Sequence, residues 1–118
     1  MTRVVSVLDL VDDAALIAEY RARHAPGAVW PDIIRYLTSI GCENLELWQV
    51  ADRLVMIFEA AEGYPRATDP ALDPVVAAWE AEMSVYQRVI DPAGPKWLRM
   101  ERIFTYDGGE AMPGRAKG

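Results

Sequence analysis

His24 is the only histidine in a chain of 118 residues, and Tyr20 stands one helical turn before it. Histidine is the side chain whose ordinary pKa lies closest to neutrality, so His24 is the candidate acid/base group. Its plain alternative is a surface histidine near a helix end, favoured there by the helix dipole. Tyr20 shares the same helix face at i, i+4 spacing. It either donates a hydrogen bond to a ligand or packs as a helical aromatic usually does. Glu59 and Glu101 fall near the ends of apolar, alternating runs. Carboxylates in such places are most often solvated or paired with arginine, and Arg99 and Arg102 are close by. The other reading makes one of the two a second proton-transfer group or a hydroxyl acceptor. No Gly-rich phosphate loop, metal-ligand cluster or Ser-His-Asp arrangement stands beside these residues, and no cofactor or metal is expected.

The elements that must position them can be read from periodicity. Val4, Val5, Val7, Leu8 and Leu10 form a short buried strand closed by Asp12 and Asp13. Asp12 then caps a helix in which Leu16, Ile17, Tyr20 and His24 recur at helical spacing, ended by Pro26 and Gly27. Pro31 opens a second helix that Gly41 stops, with Ile33, Ile34 and Leu37 inward. Asp32 serves the N-terminus of that helix. Residues 44–50 alternate as a strand, Ala51 and Asp52 turn the chain, and Arg53 to Ala60 return. Glu62 to Pro74 reads as a loop. Val75, Val76, Trp79, Met83, Tyr86 and Val89 predict a further helix that Asp91 and Pro92 break, and Trp97 to Tyr106 predicts the last strand. The domain is expected over residues 1–107, and residues 108–118 as a flexible tail.

This order is the split βαβ, or ferredoxin-like βαββαβ, arrangement of the α+β class. Its helices cover one face of the sheet, and an uncovered apolar face in a small domain calls for a second copy, so a homodimer is expected.

Composition narrows the function. Eighteen acidic against twelve basic residues give a net charge of -6 at pH 7, which disfavours nucleic acid and fits a small neutral ligand. The lone Cys42 excludes an internal disulfide and reads as a small buried hydrophobe. Asp9, Asp12 and Asp13 interrupt the first apolar run before it reaches signal or membrane-spanning length, so no membrane partner and a cytoplasmic location are expected.

Tyr20 to Pro26 with Trp30-Pro31, Gly41 with Asn44, Glu59, Trp79 with Met83, and Glu101 with Phe104 together resemble the L-rhamnose mutarotase family over nearly the whole chain except the tail. The resemblance implies a dimeric α+β barrel fold. It also implies interconversion of the α and β anomers of a 6-deoxy-L-hexose, with His24 as proton donor. Tyr20, Trp30, Asn44, Trp79 and Glu80 are the positions it marks for sugar contact, and Glu59 or Glu101 for the second proton transfer. An indole suits a pyranose because the ring has an apolar C–H face; among Trp30, Trp48, Trp79 and Trp97, Trp79 is the first choice and Trp30 the second.

The sequence departs from the rhamnose pattern at three sugar-contact places. Gly27 and Ala28 lengthen the segment from His24 to Trp30, Leu45 replaces an aromatic of the second strand, and Glu80 replaces a second tryptophan. These departures, and the form His24 to Pro31 takes, lean toward L-fucose, with L-rhamnose the alternative. A rival from another class is a haem-degrading or cofactor-free monooxygenase, because such enzymes use the same kind of barrel.

Overall fold

The computed structural model describes residues 2–108, 110 and 111. The tail expected from residue 108 onward therefore falls largely on residues, 109 and 112–118, outside the described ones. Strand β1 (Thr2–Leu10) is central. It pairs antiparallel with β3 (Arg53–Ala60) from Thr2↔Ala60 to Asp9↔Arg53, and β3 pairs in turn with β2 (Cys42–Val50). On its other edge β1 is met by two short strands, β4 (Gln87–Arg88) at Asp9 and Leu10 and β5 (Leu98–Arg99) at Ser6 and Val7. The order is β2-β3-β1-β4, with β5 also on β1. This is the expected ferredoxin-like order with its last strand split in two.

Alternation sorts the side chains onto two faces. Val4, Ser6, Leu8 and Leu10 of β1 and Leu54 and Phe58 of β3 are buried, packed under α1 (Ala14–Arg23), α2 (Pro31–Ile40) and α3 (Asp73–Ser84). Val5, Val7, Val55 and Ile57 occupy the opposite, open face. Asp9 lies there too, and Arg53 donates to it through Nε at 2.7 Å and a second nitrogen at 3.1 Å. Arg53 and Arg88 hold the Asp9 carboxyl below its ordinary pKa.

Local chemistry sets the helix ends. Asp13, not Asp12, caps α1: its backbone is extended and its carboxylate accepts from the Leu16 N–H at 3.0 Å, the N3 position of a helix that starts at Ala14. Pro31 is the first residue of α2, and Gly41 closes that helix in the left-handed conformation at φ 93°.

Two elements differ from expectation. The third helix stops at Ser84 instead of running to Val89, because the exposed edge of β1 offers a ladder: the Tyr86 carbonyl accepts from Val11 and Gln87 pairs with Leu10. The last strand pairs with β1 only over Leu98–Arg99, with one more bond from the Met100 N–H to the Val5 carbonyl. Beyond it the chain leaves the sheet as an arm ending in a small hairpin, β6 (Tyr106–Asp107) with β7 (Glu110–Ala111). Strand β1 itself continues to Thr2, but its pairing on this edge stops at Arg99 and the Met100 bond.

Candidate active site

Tyr20 and His24 are one turn apart on the last turn of α1, facing the sheet end where Leu10, Leu54, Met83 and Tyr86 form the core. Tyr20 is buried and its ring lies 4.5 Å from the imidazole of His24. Trp79 meets His24 edge-on at 5.7 Å, and Trp30 meets Trp79 edge-on at 5.0 Å. Three aromatic rings and one imidazole therefore make a continuous wall, contributed by α1, the residue preceding α2, and α3.

The protonation of His24 follows from its contacts. Nδ1 lies 2.8 Å from the Tyr20 carbonyl oxygen. A carbonyl only accepts, so Nδ1 carries a hydrogen and donates it, and Nε2 is left with a free lone pair in the neutral ring. Burial pushes the imidazole pKa below its ordinary 6.5, and the Tyr20 carbonyl opposes this more weakly. At pH 7 the ring is thus a neutral base of fixed tautomer. Burial also raises the Tyr20 pKa, so its phenol stays a hydrogen-bond donor.

A profile of the L-rhamnose mutarotase family matches residues 3–106. The chain belongs to the L-rhamnose mutarotase family. An L-fucose mutarotase of Xanthomonas campestris is 42% identical over 110 residues, which cover 89% of this chain and 88% of that one. A UPF0734 protein of Dictyostelium discoideum is 28% identical over 109 residues, 85% of this chain and 86% of that one. The crystal structure of an L-rhamnose mutarotase from Formosa agariphila superposes with a TM-score of 0.66 at 17% identity, covering 91% of this chain and all of that one. That last likeness speaks for the fold.

Within this mutarotase-family fold the marked residues separate into two groups. His24, Tyr20, Trp79 and Trp30 come together. Glu80 stands at the rim of their cluster, where its carboxylate accepts from Lys96 at 2.9 Å and is near enough to Tyr20 to raise the phenol pKa. Asn44 and Glu59 bond to each other at 2.8 Å. Glu59 faces Arg3 across the strands and so lies on the open face of the sheet, away from His24. Asn44 sits at φ 51° in a bulge between Glu43 and Glu46 that shifts the β2 register. Glu101 is exposed on the arm, at the end of β1 remote from Leu10. An open hollow of about 510 Å³, lined by Thr2, Val4, Tyr64 and Arg99 among others, lies at that same remote end.

Gln87 is a residue of this region that sequence reasoning passed over. Its amide donates to the Tyr20 hydroxyl at a long 3.5 Å, and its Oε1 is buried without a hydrogen-bond partner. The helical spacing of Met83, Tyr86 and Val89 hid this residue, because that spacing sets Gln87 beside Arg88 on the polar side of a helix. Among the described residues no group of three or more potential ligands is placed to hold a metal ion, and no helix is long and apolar enough to cross a membrane.

Proposed function

We propose that the chain interconverts the α and β anomers of a 6-deoxy-L-hexose by acid/base ring opening at His24, with L-fucose favoured over L-rhamnose. The observation that carries this is the free Nε2 of a neutral, half-buried imidazole whose other nitrogen is committed to the Tyr20 carbonyl. The 42% identity to an L-fucose mutarotase supports both the reaction and the sugar.

The step balances on one imidazole. Nε2 takes the proton of the 1-hydroxyl as the C1–O5 bond breaks and its electrons move to O5. The imidazolium then gives the proton to O5, leaving an aldehyde at C1 and a hydroxyl on C5. Because O1 and O5 are both attached to C1, one nitrogen serves both. Rotation about C1–C2 and the reverse sequence close the ring on the other face. A lowered pKa suits this relay, since the imidazolium formed in the first half is a ready acid for the second. Trp79 and Trp30 hold the apolar face of the ring, and the Tyr20 hydroxyl donates to a sugar oxygen. L-Fucose has an axial 4-hydroxyl that leaves the C3, C4 and C5 hydrogens on one face, a patch that a single indole covers. Saturation-difference proton NMR of L-fucose and L-rhamnose anomers tests the proposal. Accelerated exchange, faster with L-fucose, is expected; no acceleration of either sugar contradicts it.

We further propose that the working form is a homodimer, in the cytoplasm. The open sheet face carries Val5, Val7, Val55 and Ile57, with Trp48 61% and Val50 72% exposed. The arm presents Ile103 at 93% and Phe104 at 67% exposure, and the radius of gyration of 16.1 Å exceeds the roughly 13.5 Å expected of a compact chain this long. A second copy that covers the open face and receives the arm removes all three features. Light scattering is expected to give a dimer at micromolar concentration, and Ile103→Asp to shift it toward monomer. A clean wild-type monomer overturns this assembly.

A further inference from the structure

Gln87 is held in an unusual place for an amide. It pairs with Leu10, which is fully buried on the helix side of the sheet, and neighbouring antiparallel partners point the same way. Its side chain is thereby directed into the layer between sheet and helices, among Leu10, Tyr20, Met83 and Tyr86. There it makes one long contact, to the Tyr20 hydroxyl, and Oε1 is the buried side-chain polar atom left unanswered among the described residues. An unmet buried acceptor is destabilising, and an apolar side chain of the same length fits that layer without the defect. Glutamine therefore does something there that packing does not require. The Tyr20 hydroxyl, which accepts from Gln87, also keeps its own proton to give. A donor and an acceptor thus lie side by side at the end of the Tyr20 ring, whose centroid is 4.5 Å from that of the His24 imidazole.

A sugar hydroxyl is both donor and acceptor and answers the two together. We propose that Gln87 is a specificity-determining residue: it accepts, through its amide oxygen, from one of the hydroxyls by which L-fucose and L-rhamnose differ, while Tyr20 donates to the same hydroxyl. This rests on the mutarotase reading above. The flexible stem and the soft terminal torsion of glutamine let the amide swing out to meet the sugar. A site built to bond a hydroxyl discriminates an epimer more sharply than an apolar pocket does, because the wrong epimer leaves the acceptor buried and unmet.

The test compares wild type, Gln87→Met and Gln87→Glu in anomer-exchange NMR with L-fucose and L-rhamnose, alongside thermal unfolding. Gln87→Met is expected to lower kcat/KM for the preferred sugar about tenfold, chiefly by raising KM, because the contact is remote from C1 and is made in ground and transition states alike. The other sugar changes little, so the preference collapses, and Tm is unchanged or higher. Gln87→Glu keeps acceptor oxygens and is expected to keep the preference. If Gln87→Met slows both sugars equally, leaves the preference intact, or lowers Tm, the residue is structural and the proposal is wrong. A wild type that accelerates neither sugar overturns the mutarotase reading itself, and this assignment with it.

Discussion

Replacing Trp79 with phenylalanine tests whether the aromatic wall both stabilises the fold and tunes His24. Trp79 is 7% exposed and edge-on to Trp30 at 5.0 Å and to His24 at 5.7 Å. Aromatic pairs of this kind contribute about 0.5–1.5 kcal/mol each beyond the area they bury. Phenylalanine keeps a ring but shortens its reach, weakening both contacts and leaving a gap that the surrounding side chains fill only in part. Trp79→Phe should therefore cost about 2 kcal/mol, which at this chain length lowers Tm by roughly 8 °C. The same gap lets water approach the imidazole, so the His24 pKa should rise from its depressed value toward 6.5. Both are measured on one sample: Tm by circular dichroism, and the pKa from the single histidine Hε1 resonance that the sequence allows. A wild-type His24 titrating at or above 6.5, or a variant that moves neither Tm nor the titration, refutes the reasoning.

Other consequences follow from the same geometry. The folded pKa of His24 lies below the 6.5 of the unfolded chain, so the unfolded state takes up the proton first. Stability should fall as pH drops from 6.5 through the folded pKa, and His24→Ala should remove that component of the urea midpoint. Cys42 is buried and its thiol is pushed up to about 11, so a disulfide reagent at pH 8 should label it only on unfolding; fast labelling of the native protein contradicts the packing. Gly41→Ala places a side chain at φ 93° with its Cβ 3.4 Å from that of Ala61. It should cost about 1 kcal/mol or more, read as a lower urea midpoint, because only glycine adopts this helix-ending conformation without strain.

Much of the fold was legible because its signals are local. Pro31 and Gly41 bracket α2 as their backbone preferences dictate, and the alternation of β1 and β3 matches the observed faces. The i, i+4 spacing of Tyr20 and His24 brought their rings together as expected. What stayed hidden depends on partners distant in sequence. Met83, Tyr86 and Val89 keep helical spacing, and only the vacant edge of β1 turns Gln87 and Arg88 into a strand. The bulge between Glu43 and Glu46 sets these two side chains opposite Glu59 and Ile57 of one face, which strict alternation does not foresee, and Asn44 within it bonds Glu59 on the side away from His24. Glu80 follows Trp79 directly. A helix turns about 100° per residue, so when Trp79 points inward its neighbour reaches the rim and finds Lys96.

The measurement closest to the central claim is the anomer exchange of L-fucose by His24→Ala, followed by saturation-difference NMR with folding checked by circular dichroism. The imidazole is the one base of fixed tautomer facing the aromatic wall, and it sits at a helix end where its loss leaves the core in place. Exchange reduced to the uncatalysed rate in a folded variant is the expected result. Exchange at the wild-type rate contradicts ring opening at His24.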